Sequence, residues 1–194
     1  MPKIDRHSLL TLEAYESARP DFRATVIAHK KDRTVHLGGH VTLVFEDELT
    51  IRYQIQEMLR IEKTFHEPGI RDELDAYNPL VPDGSNFKAT MLIEYPDADE
   101  RRRRLAELKG VERRVWIRVE QFAKVFAIAD EDLPRENAEK TSAVHFLRFE
   151  LPAKQKAALQ AGAALGIGVD HEACRAEIAR LPGEVHAALL ADLA

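Results

Sequence analysis

Apolar side chains recur along this chain with two different periods, and the changes between them mark out its elements. Leu9, Leu12 and Tyr15 fall at helical spacing behind Ser8, which predicts a helix through about Ala18 with Ser8 as its cap. Pro20 interrupts that run, and Asp21 is placed to restart a helix carrying Phe22, Val26 and Ile27. From Thr34 to Glu46 the period becomes two. Val35, Leu37, Val41, Leu43 and Phe45 share one face, while His36, His40 and Thr42 share the other. The Gly38-Gly39 pair inside this stretch predicts a bulge, a bend or a hairpin turn.

Asp47 caps the next helix, which Pro68-Gly69 is expected to end, and a short helix over Ile70 to Tyr77 follows it. Phe87, Ala89, Met91, Ile93 and Tyr95 alternate as the inward positions of a strand. A charged helix then starts at Asp97 or Asp99 and runs to Leu108. Three more strands read from "RRVWIRVE", "FAKVFAIAD" and "AVHFLRFEL". Between the last two, Glu131 to Ser142 form a polar loop suited to a lid or a partner-binding edge. Pro152 opens an Ala-rich helix, "GIGVDH" is a strand or turn, and Glu172 to Leu193 read as helical with a break at Pro182-Gly183. This order predicts an α+β fold over 1–194 as a single domain, an antiparallel or mixed sheet flanked by N-terminal and C-terminal helices.

Composition changes the picture little. Hydrophobic residues at 45% and charged residues at 31% describe a folded chain rather than a disordered one. A net charge of -5 argues against general affinity for nucleic acid, which depends on excess Lys and Arg. Cys174 is the only cysteine, which excludes an internal disulfide and a cysteine-rich zinc or iron–sulfur site. The first twenty residues lack a signal peptide's apolar run, and no stretch reaches the roughly 20 apolar residues that span a bilayer. The expectation is a cytoplasmic protein with no membrane partner. Its assembly state is open, a homo-oligomer included.

The chemistry lies in polar residues on apolar faces. Extending the helix after Asp47 puts Ile55, Met58, Glu62 and Phe65 on one stripe, with His66 one turn beyond Glu62. A buried carboxylate must protonate or find a cation, and a Glu/His pair can offer oxygen and nitrogen to one ion. His145 shares its strand face with Leu147, Phe149 and Leu151, and His171 sits between Asp170 and Glu172. Glu62, His66, His145 and His171 would together make a carboxylate-plus-histidine metal site. Such donors suit iron, manganese or zinc, so the expected cofactor is a divalent transition metal. The competing readings are ion pairs with Arg52, Arg118 or Arg148, a histidine hydrogen-bonded in the core, or a metal-free cleft lined by Glu62, His66, His145 and Arg148.

Other features carry less. His36 and His40 face solvent by alternation. Arg101 to Arg104 point in four directions around a helix, and no aromatic residues are interleaved for base stacking, so no nucleic-acid partner is expected. Cys174 would be a reactive thiol only if His171 lowered its pKa; otherwise it packs as a small apolar residue. Phosphate loops, HExxH and GxSxG are absent, so no enzyme class follows.

With "IRYQIQEMLRIEK", "YNPLVPDGSNFKATMLIEYPD" and "VHFLRFEL" in view, the chain resembles a family of bacterial proteins known only as a domain of unknown function. The resemblance implies a gene neighbourhood shared with rubrerythrin-type diiron proteins and iron–sulfur oxidoreductases. It thereby implies a part in peroxide defence or electron transfer. Two expectations result: a metal-binding accessory protein using the Glu/His residues, or a non-catalytic module that binds such a redox protein while those residues are purely structural.

Overall fold

The structure of the chain is a computed structural model that describes residues 3–193. Among these residues, strands form two antiparallel sheets. In the first, β1 (Thr34–Leu37), β2 (Val41–Glu46), β3 (Asn86–Ile93), β7 (Val144–Glu150) and β6 (Ile128–Ala129) lie side by side in that order. In the second the order is β5 (Val125–Phe126), β4 (Val115–Val119), β8 (Leu165–His171) and β9 (Cys174–Ile178). Only Ala127 separates β5 from β6, so the chain steps from one sheet to the other there. At the opposite edges the turn after β1 meets β9: a Cβ on Gly38 would lie 3.7 Å from that of Ala176.

The two sheets enclose one core, to which Phe45, Phe87, Met91 and Phe149 come from the first and Ile117, Ile167 and Val169 from the second. The alternation read from the sequence holds here, since Val35, Leu37, Val41, Leu43 and Phe45 are all buried, as are Phe87, Ala89, Met91, Ile93 and Tyr95. Gly38, at φ 67°, resolves the Gly-Gly ambiguity as a hairpin turn. Gly168 has a packing reason. A Cβ there would fall 2.4 Å from the Trp116 ring.

The helices form two groups. α4 (Ala98–Glu107), α5 (Ala153–Gln160) and α6 (Gly183–Leu190) lay Leu105, Leu159 and Leu189 onto the sheet core. α1 (Leu12–Lys31), α2 (Glu48–Glu62) and α3 (Glu67–Tyr77) form a separate layer, in which Ile51, Ile55, Leu59, Ile70 and Leu74 of α2 and α3 build a second core. Buried polar groups tie this layer to the rest. Arg33 donates from Nε to Phe45 O at 3.0 Å and pairs with Asp192, while its Nη1 lies 3.4 Å from Asp47. Tyr15 and Arg19 of α1 both donate to Glu57 of α2, each at 2.7 Å.

Four readings of the sequence need correction. Thr11, not Ser8, caps α1, and Pro20 lies inside that helix. Pro20 and Glu16 are both exposed, so water can satisfy the carbonyl the proline leaves free. α2 ends before the expected Pro68-Gly69, at Lys63 in the left-handed region (φ 54°); Pro68 then serves the first turn of α3. Cys174 to Ile178 is an edge strand rather than helix, because pairing with β8 overrides the helical preference of its alanine. No helix among the described residues is long and apolar enough to cross a membrane.

Candidate functional site

The early end of α2 decides the fate of the expected metal site. With a left-handed residue between them, Glu62 and His66 no longer share a helical stripe, and both are exposed. His66 instead caps α3, its Nδ1 accepting from Gly69 N at 3.1 Å. His145 is fully buried and otherwise engaged. Its Nδ1 meets Asp130 Oδ2 at 2.6 Å, and its Nε2 meets Thr141 Oγ1 at 3.0 Å and Ser142 O at 3.1 Å. His171 reaches the carbonyl of Lys109 at 3.0 Å and accepts from Ala173 N at 3.2 Å. The four residues therefore do not converge, and no three His, Cys, Asp or Glu side chains are grouped to hold an ion among the described residues. Burial pushes the Cys174 thiol up and His171 does not lower it, which fits a packed apolar residue rather than a reactive thiol.

Asp130 holds the polar loop to β7. Besides His145, it accepts from Phe146 N at 3.1 Å and lies 3.2 Å from Arg135 Nε, while its own backbone is left-handed at φ 53°. The loop that follows, Glu131 to Ser142, is thus clasped at both ends by the histidine, through Asp130 on one side and through Thr141 and Ser142 on the other. Its first residues form one wall of a cleft of about 850 Å³. That volume suits a small molecule.

The cleft opens between the outer face of the first sheet and the helical layer. Met58 of α2, Glu73 and Tyr77 of α3, and Leu80 and Val81 after it line one side. Lys88 of β3 with Phe146 and Arg148 of β7 line the other, and Glu131, Asp132 and Arg135 come from the loop. Lys88 and Arg148 are cross-strand partners, so strand register sets two cations side by side. Arg148 is neutralised by a fork to Glu131, with both contacts at 2.8 Å, and by Glu150 at 2.5 Å. Arg135 lies 4.5 Å over the Phe146 ring and pairs with Asp132.

Lys88 is the exception. It is half-buried, yet its ammonium makes no hydrogen bond or ion pair among the described residues. Burial first, and then the Arg148 guanidinium, hold its pKa below the ordinary lysine value. On the facing helix Glu73 is displaced the other way: burial, then the charges of Glu62 and Asp72, push its carboxyl up. A cleft that brings an amine and a carboxyl towards neutrality from opposite directions has the elements of proton-transfer chemistry.

Of the residues expected in a metal or metal-free cluster only Arg148 lines this cleft, joined by Glu131, Asp132 and Arg135 of the expected lid loop. Lys88 and Glu73 were missed, because an outward lysine on a strand and a glutamate on a charged helix are ordinary. One signal was readable: Val44, Leu92 and Phe146 put apolar side chains on the outward sheet face, which implies a covering layer.

A family model described as "Protein of unknown function (DUF3501)" matches residues 3–193. Among solved structures, the chain is similar to a novel protein of unknown function from Burkholderia pseudomallei K96243, a crystal structure at 1.90 Å resolution. The two are 59% identical over 100% of both chains, with a TM-score of 0.95. None of the curated proteins compared matches the chain.

Proposed function

The chain belongs to that DUF3501 family, and we propose that its members with this cleft bind a small carboxylate-bearing molecule there. The observation that carries this reading is the half-buried ammonium of Lys88 in the cleft wall, which has no direct hydrogen-bond or ion-pair partner among the described residues and only the more distant charges of Glu131, Asp83 and Glu150 in its favour. A buried cation without a partner is costly, and an anionic ligand would relieve that cost. The lining as a whole does not attract anions, for it carries four basic residues (Lys3, Lys88, Arg135, Arg148) and five acidic ones (Glu73, Asp75, Asp83, Glu131, Asp132). Selectivity is local. Glu131 and Asp132 are occupied by arginines, leaving Lys88 to meet the carboxylate while Met58, Tyr77, Val81 and Phe146 surround an apolar body. A thermal-shift panel of small carboxylates, with methyl esters of the same acids as controls, tests this reading. The acids should raise the melting temperature of the wild type and leave Lys88→Met unmoved. Equal response of the two proteins would refute it.

A second reading, docking of a redox protein, has one surface in its favour. Ile61 and Phe65, beside the α2–α3 turn, are 61% and 78% exposed. The rubrerythrin-type or iron–sulfur partner comes from the family resemblance alone. Co-purification with such a protein, lost in Phe65→Ser, would support it, and unchanged recovery by that variant would remove this surface from consideration. The metal reading of Glu62, His66, His145 and His171 gains no support from their placement.

A further inference from the structure

We propose that Lys88 is the nucleophile of this cleft and that its ligand is a small 2-oxo acid, captured as an imine. The inference builds on the carboxylate reading and names the substrate class. Other lysines with partners illustrate what sets Lys88 apart: Lys156 donates to Gly84 O at 2.7 Å, Lys109 to Ala138 O at 3.1 Å, and Lys124 is held by Asp170 at 2.6 Å. Lys88 has no such restraint, and the cross-strand guanidinium of Arg148 is fixed beside it by two glutamates. A half-buried amine beside a guanidinium loses its proton more easily, here against the opposing charges of Glu131, Asp83 and Glu150, and a deprotonated amine is the condition for attack on a carbonyl carbon. As Lys88 turns to the keto carbon, the ligand's carboxylate passes from its ammonium to Arg135, whose Nη1 has no partner among the described residues while its Nε faces Asp130 and its Nη2 faces Asp132. Glu73, whose carboxyl holds its proton more tightly than usual, is the acid in the same cleft.

The step balances without any oxidant or reductant. The neutral Nζ of Lys88 forms a bond to the keto carbon, and the carbonyl π pair moves to oxygen. The nitrogen gives up one proton and the oxygen takes one, producing a carbinolamine. That hydroxyl leaves as water with a proton from Glu73, the nitrogen lone pair closes the C=N bond, and the nitrogen's remaining proton returns to Glu73. One amine and one ketone become one imine and one water.

Incubating the full chain with pyruvate and cyanoborohydride, followed by intact-mass measurement and peptide mapping, tests the proposal. The expected result is a single reduced adduct on most of the protein, mapping to Lys88 and absent from Lys88→Arg. No adduct, or adducts scattered over surface lysines and unchanged in Lys88→Arg, overturns it. Propionate, which lacks the keto group, separates the two levels. A thermal shift with propionate but no trapping of pyruvate overturns the imine and leaves the carboxylate site standing, whereas no shift with either acid overturns both.

Discussion

Arg33 is 2% exposed and Asp192 is fully buried, and their pairing joins the end of α1 to the C-terminal residues. Three backbone carbonyls, of Phe45, Glu46 and Ala188, also accept from this guanidinium. Arg33→Met would orphan a buried carboxylate and those carbonyls, so a loss of about 3–5 kcal/mol is expected in urea denaturation. Glu57 gives a pH-dependent counterpart. Hydrogen bonds from Arg19, then opposed by burial and joined by Tyr15, lower its pKa from 4.5 to about 2. Because the folded value lies below the unfolded one, this contribution is complete above pH 4.5 and disappears as pH falls towards 2. Acid unfolding of Glu57→Gln should therefore depend less steeply on pH across that interval. At this scale the sequence marked the wrong polar residues. Its stripe argument selected Glu62 and His66, which the left-handed Lys63 releases to solvent, while Arg33 stood in a charged stretch with no periodic pattern to expose its burial.

Elements were easier to read where two local signals agreed. Asp47 caps α2 through a reciprocal box with Thr50, and Asp97 caps α4. The alternating strands β2, β3 and β7 bury the faces that their patterns assign. Errors arose where one residue overrode a pattern. Lys63 ends α2 without glycine, so Lys63→Gly should remove left-handed strain and stabilise the protein by about 1 kcal/mol, measurable as a higher denaturation midpoint. Conversely, Gly168 on β8 leaves room for Trp116, and Gly168→Ala must displace a fully buried ring or the facing backbone of Ala176. A loss of about 1–3 kcal/mol, with altered Trp116 fluorescence, is expected. β9 was illegible for another reason: its partner β8 supplies the hydrogen bonds that its own alanine and charged residues do not call for.

On the scale of the molecule, the cleft exists because a three-helix layer covers the outer face of one sheet without sealing it. Helices and strands could be read one at a time, but not which sheet face a helix would cover; that depends on contacts between residues far apart in sequence. The loop from Glu131 to Ser142 was recognised as a candidate lid, and its first residues do form a wall. The role of His145 in clasping it to β7 required coordinates. Calorimetric titration of the most effective acid from the panel into wild type and Lys88→Met tests the account most directly. Saturable binding at one site is expected in the wild type, weakened at least about tenfold by the substitution, a loss of about 1.4 kcal/mol. Equal affinity in both proteins, or no binding by either, would contradict it.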